Sequence, residues 1–283
     1  MTLFRRAVIV GTGLIGGSLA GALRRTGIVE RVVGIDAAAA PRALALGLVD
    51  ETGSWDAVSD ADLVILAVPV RATVEVLVEL APFLDAKALV TDVGSTKTSV
   101  LTAVSSNLAS PSRFVGGHPL AGTEKSGPEA ALPSLFEGRR CVLTPTDETD
   151  PAAVESCSAL WRAVGAVVQI MSPADHDRVL GLVSHLPHAV AFALAAAVGA
   201  GISGSQAGLY GGGFLDTTRI AASNPAMWRD VLLANRAAVL DALGRFEDEL
   251  GQLRAAIALS DGEAIEAAVA RAHSGRARVL GPT

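Results

Sequence analysis

The sequence predicts an α/β protein: a doubly wound, mostly parallel sheet over residues 1–172, followed by an all-helical domain over residues 173–283. Three observations carry this reading. Short β-rich apolar runs alternate with helical patterns through the first half. The wholly apolar run at 63–68 has the character of a central parallel strand covered on both faces. After Ser172 no strand pattern appears.

Residues 7–10 form the first strand, and the glycine turn Gly11-Thr12-Gly13-Leu14-Ile15-Gly16 leads into a helix ending near Thr26. A second strand at 31–35 ends in Asp36, and a short helix follows around 41–46. The strand at 63–68 stops at Pro69. A helix at 72–80, a strand at 88–92, a helix at 96–108 and a strand at 113–116 come next, and 141–144 and 167–170 complete the strands. Ser172-Pro173-Ala174-Asp175 has the form of a helix start, with N-cap serine, proline at N1 and an acid at N3. Asn224-Pro225 starts another helix in the same manner. Within it Leu232, Val239, Leu243, Phe246, Leu250, Leu253 and Ile257 recur at heptad spacing. Such a seam closes an intramolecular bundle or a dimer, and a homodimer through the helical domain is the expectation.

Bulk properties narrow the function classes. The chain of 283 residues is half hydrophobic and 18% charged, so a sizeable core is available, built largely from Ala, Val and Leu because aromatics are few. A net charge of −6 and three lysines (Lys87, Lys97, Lys125) give no basic block for nucleic acid. Cys141 and Cys157 suit a reducing compartment and lack metal-ligand spacing. Arg5-Arg6 and the apolar run to Leu23 imitate a signal peptide, but five glycines and a coherent strand–turn–helix reading argue against one. The apolar stretch at 189–202 reads as a buried helix, not a membrane span. The expected location is cytoplasmic.

The glycine turn follows a strand, opens a helix and precedes an acid, Asp36, at the end of the next strand. That is the context a Rossmann-type dinucleotide fingerprint requires. Gly11, Gly13 and Gly16 serve tight turn, close approach to pyrophosphate and helix–sheet packing. Leu14 and Ile15 open the helix whose N–H groups face phosphate, and Val68 and Pro69 lie at the end of the central strand. Asp36, with neutral residues at 37–40, accepts from a ribose 2′-hydroxyl and repels a 2′-phosphate. The expected cofactor is NAD.

His118, in Gly116-Gly117-His118-Pro119, is read as lying on a rigid loop and is the candidate general base. Its plain alternative is a loop histidine bonded to backbone. Ser95, in Asp92-Val93-Gly94-Ser95-Thr96-Lys97, stands at the carboxyl edge of the sheet, where ligands bind, and also suits helix capping. Arg219, after Gly211-Gly212-Gly213-Phe214-Leu215-Asp216, can hold a carboxylate bidentately or pair with Asp216. His185 and His188 lack a third ligand by spacing, so no metal is expected.

Five motifs in order, GTGLIGGSLA (11–20), DVGSTK (92–97), GGHPLAGTEKSG (116–127), SHLPHAVAF (184–192) and GGGFLDTTRIAASNPAMWRD (211–230), resemble the prephenate/arogenate dehydrogenase family of tyrosine biosynthesis. The resemblance implies NAD-dependent oxidative decarboxylation of a cyclohexadienol dicarboxylate. It implies His118 as base or acceptor at the substrate hydroxyl with Ser95 beside it, and Arg219 on a substrate carboxylate. Thr123, His185 and His188 would line the pocket, with Glu124 and Asp216 near its mouth. The regulatory ACT domain of some members is expected to be missing. A β-hydroxyacid dehydrogenase, similar in layout, needs a lysine in the helical half, and 173–283 has none. An amino-substituted analogue as substrate, and a non-enzymatic NAD sensor, are the remaining rivals. Prephenate is preferred to arogenate on one argument: Glu124 and Asp216 are occupied by Lys125 and Arg219, leaving no carboxylate for an ammonium.

Overall fold

The structure, a computed structural model, describes residues 2–123 and 125–281. Among these, eight strands form one sheet: β1 (Phe4–Val10), β2 (Val29–Ile35), β3 (Glu51–Thr52), β4 (Leu63–Leu66), β5 (Leu89–Asp92), β6 (Phe114–Pro119), β7 (Arg140–Thr144) and β8 (Val167–Ile170). Their order is β3-β2-β1-β4-β5-β6-β7-β8. The order reverses direction at β1/β4, the switch point of a doubly wound sheet. Every pair is parallel except β6–β7.

The flanking helices are α1 (Leu14–Thr26), α2 (Ala40–Ala45), α3 (Thr73–Leu80), α4 (Thr98–Asn107) and α5 (Pro151–Ala163). The sheet's alternation of side chains divides the apolar core between its faces. Ile9, Leu19, Leu23, Leu63, Ile65, Phe136 and Trp161 pack on one. Val8, Val10, Val64, Leu66, Leu77, Leu80, Val90 and Phe114 pack on the other. Helix α5 carried no expectation, although Asp150-Pro151 repeats the cap pattern: the Asp150 side chain accepts from Ala152 N–H at 2.8 Å.

The helical half comprises α6 (Pro173–Leu180), a π-turn (Gly181–His185), α7 (Leu186–Gly201), α8 (Gly212–Thr218), α9 (Pro225–Ala234), α10 (Arg236–Ala258) and α11 (Gly262–Leu280). Ser172 and Asn224 cap α6 and α9 as expected, accepting from Asp175 N–H and from Ala226 and Met227 N–H.

Several expectations need correction. His118 is on strand β6, not on a loop: antiparallel pairing with β7 (His118 opposite Val142) carries the strand past Gly116 to Pro119. The heptad helix is interrupted at Asn235, which leaves helical geometry (φ −108°, ψ 32°) because its amide turns inward to bond Asp177 and His185. Helix α7 is not a buried helix, since Ala191 is its single buried residue. The continuous helical stretch Pro173–Gly201 is long and apolar enough, by length and composition alone, to cross a membrane. A division by packing, distinct from the expected domain boundary near residue 172, gives two compact units separated after Arg236, with α6–α9 in the unit that holds the sheet. The second unit is a helical hairpin, α10 and α11 joined through Ser260 and capped by Asp261.

Candidate active site

The carboxyl ends of β1, β4 and β5 define the edge where an open α/β sheet binds ligands. The glycine turn lies there, between β1 and α1. Gly11 has φ +92°, and a Cβ on it would meet Ala67 O at 2.4 Å; a Cβ on Gly16 would meet Gly11 O at 1.9 Å. A Cβ on Gly13 would meet nothing within 4 Å. Thus Gly11 and Gly16 are glycine for packing, whereas Gly13 opens onto space. No side chain caps α1, so its first N–H groups are left for a ligand. Asp36 Oδ1 accepts from Ala38 and Ala39 N–H at 3.0 and 2.9 Å, and Oδ2 accepts from Thr12 N–H at 3.1 Å. The carboxylate is thereby fixed against the glycine turn, with lone pairs left for a ribose. The residues present fit a dinucleotide.

A second polar cluster sits where β6 leaves β5. Asp92 and Lys97 form a buried ion pair across the β5–α4 turn. Asp92 Oδ1 accepts from Gly117 N–H at 3.0 Å, and Lys97 Nζ donates to Gly117 O at 2.7 Å. Both polar groups of the residue before His118 are therefore held by side chains. His118 Nδ1 lies 2.8 Å from His176 Nε2, and His176 Nδ1 lies 2.8 Å from Asp177 Oδ1. Asp177 also accepts from Lys97 and Thr98 N–H, which ties α6 to the start of α4. Burial works against the Asp177 charge. Even so, the His176 ring and these two N–H groups hold its carboxyl down at about 2.

Three imidazoles, His118, His185 and His188, are kept neutral. Burial first, then the neighbouring His176, Lys97 and His185, push His118 well below the ordinary histidine range, against the opposing pull of Asp177. His185, 1% exposed, is lowered to about 4 by burial, and its Nδ1 lies 3.0 Å from Asn235 Nδ2. His188 is lowered by burial, with a smaller push from Arg219. Its Nδ1 faces Ser184 O at 2.9 Å, and its ring stacks on Trp228 with centroids 3.6 Å apart.

Residues 19–170 match the model of the prephenate dehydrogenase nucleotide-binding domain, and residues 172–270 that of the prephenate dehydrogenase dimerization domain. The chain belongs to the prephenate dehydrogenase family. It is 39% identical over 271 residues to a cyclohexadienyl dehydrogenase of Zymomonas mobilis, covering 93% of this chain and 92% of that protein. Identity to a prephenate dehydrogenase of Bacillus subtilis is 40% over 268 residues, covering 90% of this chain and 71% of the relative. The Aquifex aeolicus prephenate dehydrogenase solved with hydroxyphenyl propionate and NAD+ superposes with a TM-score of 0.89 at 40% identity, covering 97% and 98% of the two chains. A Synechocystis arogenate dehydrogenase gives 0.82 at 32% identity, covering 96% and 98%.

Within this family site the expected residues divide. His185 is among the groups that oppose protonation of His118, and Arg219 opposes protonation of His188. Ser95 lies partly buried in the β5–α4 turn, two residues before Lys97. Thr123 is exposed, its hydroxyl accepting from Lys125 N–H at 3.2 Å. Arg219 and Asp216 are exposed on and just after α8, and among the described residues they form no ion pair with each other. Glu124 lies outside the described residues. Sequence reasoning missed His176, Asp177 and Asn235, and gave Asp92 and Lys97 no role. For Asp92 and Lys97 a signal existed: opposite charges at the end of an apolar strand need each other if buried.

Proposed function

We propose that this chain is an NAD-dependent prephenate dehydrogenase, converting prephenate to 4-hydroxyphenylpyruvate with loss of CO₂. The observation that carries the reading is His118. It is a neutral imidazole on β6 of the same sheet that carries the glycine turn, in a chain of this family. NAD, when bound, accepts the hydride from the carbinol carbon. His118 takes the hydroxyl proton, with Ser95 beside it. Arg219 holds a substrate carboxylate. Neutral His185 and His188 line the pocket with Thr123, while Glu124 and Asp216 stand at its mouth. The cofactor is held by Gly11, Gly13, Leu14, Ile15, Gly16, Asp36, Val68 and Pro69. The vinylogous β-keto acid that follows oxidation loses CO₂ because the ring becomes aromatic, so the chain's work is positioning and proton removal.

The functional boundary is placed near residue 172, where the last strand has ended and α6 begins. The helical part supplies a homodimer interface. Leu250 and Ile257 of the heptad seam are exposed, and every residue of apolar α7 except Ala191 is at least partly exposed, as faces awaiting a second copy would be. A cytoplasmic location goes with this biosynthetic role.

Arogenate is the second reading, because Asp216 forms no ion pair with Arg219 and so can face an ammonium. Steady-state kinetics on both substrates with NAD and NADP test the proposal. A higher kcat/KM for prephenate with NAD is expected. A tenfold advantage for arogenate, about 1.4 kcal/mol in the transition state, would transfer the assignment.

A further inference from the structure

We propose that His176 and Asp177 form a relay that sets the tautomer of His118 and shares the charge it acquires, which makes His176 a positioning residue for the reaction. The proposal rests on the reading of His118 as the base.

The argument follows from which atoms can donate. The Asp177 carboxylate accepts at both oxygens, from Lys97 N–H at 2.8 Å on Oδ1 and Thr98 N–H at 2.9 Å on Oδ2. It has no proton to give. His176 Nδ1, 2.8 Å from Oδ1, must therefore be the protonated nitrogen. For a neutral pair of rings, His176 Nε2 then carries only a lone pair. The 2.8 Å contact to His118 Nδ1 requires that His118 donates. What remains on His118 is the lone pair of Nε2, which has no hydrogen-bond partner among the described residues. When substrate is oxidised, the hydroxyl proton moves to that Nε2 and the hydride to the nicotinamide. Nδ1–H stays on His118 and continues to donate to His176. The new positive charge is balanced through the ring of His176 by Asp177, and no proton leaves the relay.

The groups facing His118 fit this division. Lys97 and Asp92 approach from the β5–α4 turn, His176 and Asp177 from α6, and His185 from the π-turn. Lys97 and the two histidines oppose protonation, whereas Asp177 favours it. His176 is 0% exposed, so bulk water does not reach it to take its place.

The test compares His176→Phe, His176→Gln and His118→Asn in the full-length enzyme. His176→Phe should lower kcat by ~10²-fold, less than the ~10⁴-fold lost when the orienting carboxylate of a serine-protease triad is removed. KM and NAD affinity should stay within about threefold, since no ligand contact is lost. His176→Gln, whose amide can donate to Asp177 and accept from His118, should recover ~10-fold of that loss. In a His118→Asn background, His176→Phe should change kcat no further, because residues acting as one unit are not additive. Nitrogen-15 NMR of the wild-type imidazoles should show His118 protonated at Nδ1 and bare at Nε2. A His118 proton on Nε2 overturns the relay, and so does a His176→Phe enzyme with kcat within about threefold of wild type. If His118→Asn itself retains wild-type kcat, the assignment of the base has failed instead, and the two failures are distinguishable. Should His176→Phe not fold, the wild-type spectrum and His176→Gln decide alone.

Discussion

Replacing Lys97 by Met tests whether the buried pair under the site is essential. Lys97 is 0% exposed and Asp92 2%. In the variant the Asp92 carboxylate keeps Gly94 and Gly117 N–H but loses its cation, and Gly117 O loses a donor. Breaking one side of a buried ion pair costs about 3–5 kcal/mol, which already includes most of the penalty for the orphaned charge. For a cooperative unit of this size each kcal/mol lowers Tm by about 2–4 °C, so a fall of roughly 6–20 °C is expected by calorimetry at pH 7. Asp92→Asn combined with Lys97→Met removes the uncompensated charge and should melt above Lys97→Met alone. A second readout concerns chemistry. Lys97 is one of the cations that depress His118, so its removal should move the acid limb of kcat/KM to higher pH. Lys97→Met melting within about 1 kcal/mol of wild type, with an unmoved limb, would show that the pair neither supports nor tunes the site.

His118→Asn should keep NAD affinity and lose at least ~10²-fold in kcat, and a variant retaining half the wild-type rate would remove His118 from the mechanism. Because burial, His176, Lys97 and His185 hold His118 well below 6.5, wild-type kcat/KM should show no histidine limb near pH 6.5. A clear inflection there would assign the base to a different group. Asp36→Ser should narrow the preference for NAD over NADP, and equal kcat/KM for both cofactors in the wild type would refute the role given to Asp36. Arg219→Ala should raise KM by the equivalent of ~2–4 kcal/mol, whereas unchanged KM in a folded variant would make Arg219 structural. Acid should weaken the fold. His185 stays neutral to about pH 4 when folded but charges near 6.5 when unfolded, so stability falls as pH drops through that window, by about 3 kcal/mol at most. Urea midpoints that are flat from pH 6.5 to 4.5, or unchanged in slope by His185→Gln, would contradict this.

Seven of the eight strands were legible because each carries an apolar run, whereas β3, the polar pair Glu51–Thr52, gave no such signal. The glycine turn was legible from its spacing, in which Gly11 and Gly16 answer steric demands and Gly13 leaves space open. Capping chemistry located α6 from four residues and α9 from two. What escaped depends on pairing between distant segments. Nothing local tells a reader that β7 returns antiparallel and turns the His118 loop into a strand. Nothing in Ser172-Pro173-Ala174-Asp175-His176 distinguishes a buried histidine from an exposed one at the start of a helix. Asn235 sits in a continuous heptad pattern, and only its partners Asp177 and His185 explain the break. The apolarity of α7 was seen, but burial within one chain was inferred from it, and apolarity does not say whose surface provides the cover.

The reversal at β6 and the polar cluster beneath it have one physical origin. In a parallel sheet a strand leaves the carboxyl edge directly into a loop, and its last side chains point into space. Here β5 pairs with β6 only at Val90–Phe114 and Thr91–Val115, so the Gly117 peptide has lost its ladder partner on that side. The Asp92 carboxylate and Lys97 ammonium take the place of the missing strand, one accepting from the N–H and one donating to the carbonyl. On the other side β7 supplies ordinary antiparallel pairing. His118 is consequently fixed on both edges by bonds that its own side chain does not make, which leaves the imidazole free to bond His176 and to present its other nitrogen. A base that must stay neutral near a fixed cation needs that rigidity, because a small drift away from Lys97 would raise its pKa and a drift away from His176 would release its tautomer.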